Sequence, residues 1–181
     1  MISPHDFLDV ARDLAKLDSR RPRQASLRRA VSTAYYALFH LLIRSSVSAQ
    51  VGFGPTTTHR EIGETVVRWF THTRMAEVCG LFAGPTVPSK LRKVLPKGPQ
   101  GAASVAASAA LQGVARAFLD LQQARHDADY DPSKRFTRQG VLTHVGQAEQ
   151  AFKDWDVAIS DPFRPVFLLL MLTGDGVIKD R

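Results

Sequence analysis

Apolar residues recur at steps of three and four along most of the chain, which is the spacing of one face of an α-helix. None of these stretches shows the sustained alternation expected of a β-strand. The pattern weakens around residues 71–73. Five stripes can be followed, over residues 7–17, 27–42, 62–82, 105–121 and 141–155. The pattern predicts an all-α, up-and-down bundle of about five helices.

Local signals predict where several of these helices begin. Ser3 followed by Pro4 is typical of an N-cap and a first helical position. Thr57 or Thr58 is expected to cap the third helix. Pro132 disfavours helical geometry at the residue before it, so the chain should turn there. Asp131 or Ser133 would then cap the last long helix.

The predicted organisation is one bundle over residues 1–160, followed by a short C-terminal helix and tail over residues 161–181. Residues 83–101 interrupt the bundle with four prolines and four basic residues and no acid. Proline at this density excludes a continuous helix. The loop's basic residues could contact phosphates, and a mobile, solvated loop is the competing interpretation. Its basic residues are Lys90, Arg92, Lys93 and Lys97.

Charge is distributed unevenly along the 181 residues, whose formal net charge is +7. Residues 1–100 hold fifteen Lys and Arg against seven Asp and Glu, whereas residues 101–181 hold nine against ten. A basic half favours a polyanionic partner, and an ordinary solvated surface is the alternative. Cys79 is the single cysteine and is expected to be buried. No secretory signal is visible and the longest apolar run is seven residues, so we expect a cytoplasmic protein without a membrane segment.

Two polar segments lie within stretches that otherwise predict packed helices. In the first, polar residues at steps of three and four form a stripe beside the apolar one, and Arg28 and Tyr35 lie one step round the helix. This stripe faces either a cleft or solvent; in the second case the tyrosine rings pack at the bundle edge with their hydroxyls in water. The stripe contains Arg29, Ser32, Thr33, Tyr36 and His40.

The second segment, residues 125–132, combines positive, aromatic and acidic residues close to a predicted helix start. Arg125 and Asp129 are four apart and can form an ion pair. An Arg, a His, a Tyr and the free N–H groups of a helix start together suit a phosphate. Three carboxylates in the same place, at positions 127, 129 and 131, oppose a phosphate unless they are paired.

Other chemistries have no sequence support. The chain lacks a glycine-rich phosphate loop, a Cys/His cluster with zinc spacing and a GxSxG elbow. We therefore expect neither a metal nor a cofactor.

Together the two segments resemble the HEPN (higher eukaryotes and prokaryotes nucleotide-binding) domain, in particular its small stand-alone bacterial branch. The stretch RRAVSTAYYALFHLL, residues 28–42, looks like the second helix of that branch. The stretch R-x-x-ADYDP, residues 125–132, looks like its junction before the last long helix. The resemblance covers roughly residues 3–159 and implies a bundle of about five helices that pairs as a homodimer.

In HEPN ribonucleases an Arg, followed four to six residues later by a His, lies in the dimer cleft and cuts RNA without metal. Many relatives are toxins neutralised by a nucleotidyltransferase-fold antitoxin. Arg125 matches that arginine, but Tyr130 stands five residues later and positions 129–132 contain no His. His126 and His40 are the alternative proton donors, and a tyrosine is a poor general base at neutral pH.

Two hypotheses follow from this comparison of motifs. The first is an RNA- or nucleotide-binding protein, with or without metal-independent endoribonuclease activity, in a toxin–antitoxin or defence system. The second is a catalytically inactive module that dimerises or partners a nucleotidyltransferase-type protein. For the first hypothesis the catalytic candidates are Arg125, His126, Tyr130 and His40. The candidates for binding RNA or a nucleotide are Arg28, Arg29, Tyr36, Asp129, Lys90, Arg92 and Lys93.

Overall fold

The structure is a computed structural model, and it describes residues 3–18, 20–52, 57–92 and 106–177. Every regular element in these ranges is helical, so the all-α prediction is confirmed. Seven α-helices have ten residues or more, against about five predicted, and an eighth is a single turn. They are α1 (Pro4–Lys16), α2 (Gln24–Gln50), α3 (Thr57–Val66), α4 (His72–Phe82), α5 (Ser89–Arg92), α6 (Ala109–Tyr130), α7 (Arg138–Val157) and α8 (Arg164–Thr173).

The first two helices follow the sequence pattern closely. Ser3 caps α1: its side chain accepts from the His5 backbone N–H, and the Asp6 carboxylate accepts from the Ser3 N–H. Pro4 occupies the first turn, where a missing N–H costs nothing. Helix α2 is 27 residues long and spans the whole second stripe. The predicted start of α1 is therefore confirmed.

The third predicted stripe is divided between two helices. A 3-10 turn (Val67–Trp69) follows α3, and Phe70 is extended. The Thr71 side chain then accepts from the Arg74 N–H and starts α4. The weak stretch at residues 71–73 is thus a helix start, because a threonine there can satisfy a free N–H group.

The start of α7 corrects a second prediction. Neither Asp131 nor Ser133 caps this helix, because it begins only at Arg138. The Thr137 hydroxyl accepts from the Gly140 N–H instead. Asp131 stabilises the preceding turn, where its Oδ1 accepts from the Ser133 N–H (2.9 Å) and the Ser133 hydroxyl (2.6 Å).

The chain divides into two compact units, of which the first comprises Met1–Leu41 and Ala117–Lys153. Its core is rich in alanine, which lets helix backbones approach closely. Tyr35 is fully buried in this unit and packs 5.4 Å from the Phe118 ring. The expectation of a hydroxyl at the bundle edge is therefore wrong for Tyr35. One buried cluster contains Ala15, Leu27, Ala30, Val31, Ala124, Ala128, Phe136 and Val141.

The second unit comprises Leu42–Arg116 and Asp154–Arg181. Its α8 confirms the predicted C-terminal helix and contacts α4 through Phe167, whose ring lies 5.2 Å from that of Phe82. Phe167 also packs against Trp155. Cys79 is buried as expected, and burial raises the pKa of its thiol well above the usual range. This cysteine therefore serves as a small packing residue.

Candidate functional site

The two polar segments meet inside the first unit, on α2 and α6. Ser32 on α2 contacts Asp129 on α6, and one helical turn further along α2, Tyr36 contacts Arg125. Because the α6 numbers fall as the α2 numbers rise, the two helices run antiparallel here. Segments about 90 residues apart in sequence thus share one surface of contact.

The Arg125 guanidinium lies over two tyrosine rings. The carbon at the centre of its guanidinium is 5.8 Å from the Tyr36 ring centroid and 5.4 Å from the Tyr130 ring centroid, both within cation–π range. Its Nη2 donates to the Tyr36 hydroxyl at 3.4 Å. Burial alone lowers the pKa of Arg125, but its interactions with Tyr36, Asp129 and Tyr130 outweigh burial and raise that pKa above the ordinary value. The group is therefore a permanent cation.

Asp129 is the counterion of Arg125. Its Oδ2 lies 2.8 Å from Arg125 Nε, and its Oδ1 accepts a 2.6 Å hydrogen bond from the Ser32 hydroxyl. The Nε–H is not aligned for a hydrogen bond despite the short distance, so the pair is chiefly electrostatic. The two side chains are 16% and 28% exposed, so the pair is partly solvated.

Aromatic side chains extend this arrangement in both directions from Arg125. His40 lies 6.3 Å from Tyr36 and stacks on Phe7 at 4.9 Å, while His126 lies 5.2 Å from Tyr130 (all distances between ring centroids). We call the resulting series the ring strip. It consists of Phe7, His40, Tyr36, Arg125, Tyr130 and His126.

The two histidines occupy different surroundings within the ring strip. His40 is half-buried, and burial lowers the pKa of its imidazole, so the ring is neutral at pH 7 and can accept a proton. His126 is exposed. Each histidine is separated from Arg125 in the strip by one tyrosine ring.

Arg28 has a different environment from Arg125. Its Nη1 donates to the carbonyls of Ala128 (2.8 Å) and Asp127 (3.4 Å), and its Nη2 donates to those of Asp131 (2.8 Å) and Lys134 (2.5 Å). Two carbonyls in the last turn of α6 and two in the turn that follows thus accept from the guanidinium. We therefore assign Arg28 to capping α6 and leave it out of the ligand-binding set.

The three carboxylates near the junction are all paired. Asp127 accepts from the Gln123 amide at 2.7 Å and lies 3.4 Å from Lys134 Nζ. Asp129 pairs with Arg125, and Asp131 accepts from Ser133. The Ser133 hydroxyl and N–H lower the pKa of Asp131. Two of the three carboxylates therefore have a cationic partner, Lys134 for Asp127 and Arg125 for Asp129.

The remaining predicted residues have varied positions. Arg29 is exposed on α2. Ser32 and Thr33 are buried, and the Thr33 hydroxyl donates to the Arg29 carbonyl. The structure describes the backbone of Lys90 and Arg92 in α5 but not their side chains, and Lys93 lies outside the described residues, as does most of the proline-rich loop.

Two residues that matter here carried no functional signal in the sequence. Phe7 was assigned to the apolar stripe of α1, yet its ring covers His40. Gln24 holds the backbone of Phe136 from both sides: its Nε2 donates to the carbonyl (2.8 Å) and its Oε1 accepts from the N–H (3.0 Å). Both contacts are long-range, so spacing along the chain could not reveal them.

Comparison of the chain with family models, curated proteins and solved structures returned no match. Across the described ranges, no group of three or more His, Cys, Asp or Glu side chains could hold a metal ion. None of the described helices is both long enough and apolar enough to cross a bilayer.

Proposed function

We propose that the ring strip binds single-stranded RNA or a nucleotide. The observation that carries the proposal is the position of Arg125, whose guanidinium lies over the rings of two tyrosines and donates a hydrogen bond to one of them. A guanidinium presents paired donors that match phosphate oxygens, and aromatic faces accept stacked bases. The strip offers both groups on one surface of the first unit.

The exposure of the strip suits such a ligand. The Tyr130 side of the strip is open, since this residue is 63% exposed, and His126 beside it is also exposed. The positive charge of the first hundred residues would draw a polyanion towards the protein.

The resemblance to HEPN domains extends the proposal. It implies a cytoplasmic homodimer with the HEPN bundle topology, in which Arg125 of each subunit faces a shared cleft, and a toxin–antitoxin or defence setting with a nucleotidyltransferase-fold antitoxin. Metal-independent cleavage would require a base that takes the proton of the ribose 2′-OH while this oxygen attacks phosphorus. It would also need an acid that protonates the departing 5′-oxygen. Neutral His40 suits the first role, and His126 is the candidate for the second.

Binding can be tested by fluorescence anisotropy with a short fluorescein-labelled single-stranded RNA. We expect Arg125→Ala to weaken binding about tenfold, the value of one charge-assisted contact. Tyr130→Ala should lose a similar factor, since stacking one base contributes roughly 1–3 kcal/mol. Arg68→Ala, which removes an exposed arginine from the 3-10 turn after α3, is the matched control and should bind like the wild type.

Raising the salt concentration gives an independent measurement. Phosphate contacts release counterions, so log K should fall with log salt at a slope of about 0.7 per contact for single strands.

Equal losses of RNA affinity in Arg125→Ala and Arg68→Ala would mean that net charge, and not the ring strip, accounts for binding.

Cleavage is tested separately, with the same RNA in EDTA. Cleavage that stops in Arg125→Ala and in His40→Ala would support the ribonuclease, whereas cleavage that persists in Arg125→Ala would exclude this residue from the mechanism. If the wild type binds but does not cleave, the protein is a binding module only.

One observation favours a second function, a catalytically inactive protein-interaction module. Asp129 already neutralises Arg125, and no histidine contacts the guanidinium at the spacing that the ribonucleases use. In this case the exposed tyrosine would dock on a partner such as a nucleotidyltransferase-type protein. Absence of RNA binding even at low salt would leave this function.

A further inference from the structure

We propose that Asp129 is an intramolecular competitor for the phosphate at Arg125, so that a ligand must displace this carboxylate before it can bind. The inference rests on the proposed function and concerns the regulation of the same site. It makes Asp129 an inhibitory group, in contrast to the phosphate-binding residues around it.

Asp129 already occupies a ligand position on the guanidinium. Its Oδ2 lies 2.8 Å from Arg125 Nε, the distance at which a phosphate oxygen would also sit. The buried Ser32 hydroxyl holds the other carboxylate oxygen at 2.6 Å and so fixes the side chain in this position. The carboxylate therefore mimics a bound anion.

The position can be vacated, because the Asp129 side chain is 28% exposed and can turn towards water. Arg125 would stay in place when this happens. The faces of Tyr36 and Tyr130 continue to cover its guanidinium, and the Tyr36 hydroxyl still accepts from Nη2. Loss of Asp129 thus frees a preorganised cation.

The change Asp129→Asn should therefore raise the affinity of the protein for RNA. Asparagine keeps the size of the side chain and can still accept from Ser32, but it removes the negative charge. RNA affinity should rise about fivefold, the factor that corresponds to a weak to moderate ion pair. The slope of log K against log salt should steepen as well, because the phosphate then meets an uncompensated charge.

The test uses the full chain and the labelled single-stranded RNA described above. Asp127→Asn is the matched control, since it makes the same charge change two residues away on α6, at a carboxylate paired with Lys134 instead of Arg125. Asp129→Glu, which keeps the charge, should not show the rise in affinity expected for Asp129→Asn. Ser32→Ala loosens the carboxylate without removing it and should raise affinity by a smaller factor.

The outcomes separate the inference from the proposed function. A rise for Asp129→Asn clearly above that for Asp127→Asn supports the inference. If the two variants rise equally, or if Asp129→Asn weakens binding, the inference is overturned while RNA binding itself stands. If neither the wild type nor any variant binds, both the inference and the proposed function are overturned.

Discussion

Arg28 and Arg125 lie in neighbouring regions of the first unit, and their guanidinium groups have different partners. At the end of α6 and in the turn that follows, Arg28 donates to four backbone carbonyls. About one and a half turns earlier in α6, Arg125 contacts two ring faces, one hydroxyl and one carboxylate. An arginine bound to carbonyls stabilises the fold, whereas we propose that an arginine bordered by rings and one acid binds a ligand.

The largest expected effect comes from Arg28→Ala. This change removes the Arg28 donor from the carbonyls of Ala128, Asp131 and Lys134, while the Asp127 carbonyl still accepts from the Asp131 N–H. We expect the free energy of unfolding to fall by about 2–3 kcal/mol, since hydrogen bonds to a charged group are worth about 1.5–3 kcal/mol each before water replaces part of them. Urea unfolding measures this change.

Arg28→Lys is the control for charge. An ammonium cannot reach four carbonyls as a planar fork does, so lysine should recover only part of the loss. A stability equal to the wild type in Arg28→Ala would contradict the capping role.

Arg125→Ala should have a smaller effect on stability. Its ion pair with Asp129 is partly solvated, and such pairs contribute about 1 kcal/mol or less. The same urea experiment should therefore separate the two arginines clearly. If the free energy of unfolding fell as much as in Arg28→Ala, Arg125 would be a structural residue and the two arginines would not differ in role.

The smallest effect concerns Asp131 and the turn that Arg28 also holds. Hydrogen bonds from the Ser133 hydroxyl and N–H lower the pKa of Asp131 from its ordinary 3.8. A lowered pKa in the folded state contributes stability above pH 3.8, and this contribution is lost as the pH falls through the folded-state value. Asp131→Asn does not titrate, so its stability difference from the wild type should shrink between pH 5 and pH 2. A difference that stays constant over this range would contradict the assignment.

The sequence was sufficient for features that depend on neighbouring residues. Ser3 and Pro4 identify the start of α1, and the apolar stripes locate α2, α6 and α7 because burial of one helix face imposes its period. The motif also placed Arg125 four residues before its counterion, Asp129, as the structure has it.

Features that depend on contacts distant in sequence could not be predicted. Arg28 lay in the same motif as Tyr36, and nothing local indicated that carbonyls at the end of α6 and in the following turn would accept from its Nη1 and Nη2. The start of α7 was placed too early for a related reason: Asp131 and Thr137 are both good caps, and only the path of the connection decides between them. The pairing of Ser32 with Asp129 likewise needs the antiparallel register of α2 and α6.

The first two turns of α2 limit how evolution or engineering can alter the connection between α6 and α7. Arg28 donates to the carbonyls of Asp131 and Lys134 in this connection. Gln24, one turn earlier on the same helix, is hydrogen bonded to the backbone of Phe136. These two sets of hydrogen bonds fix the number of residues that the chain can hold between them. An inserted or deleted residue between them would release one end, so this link should tolerate changes of composition but not of length.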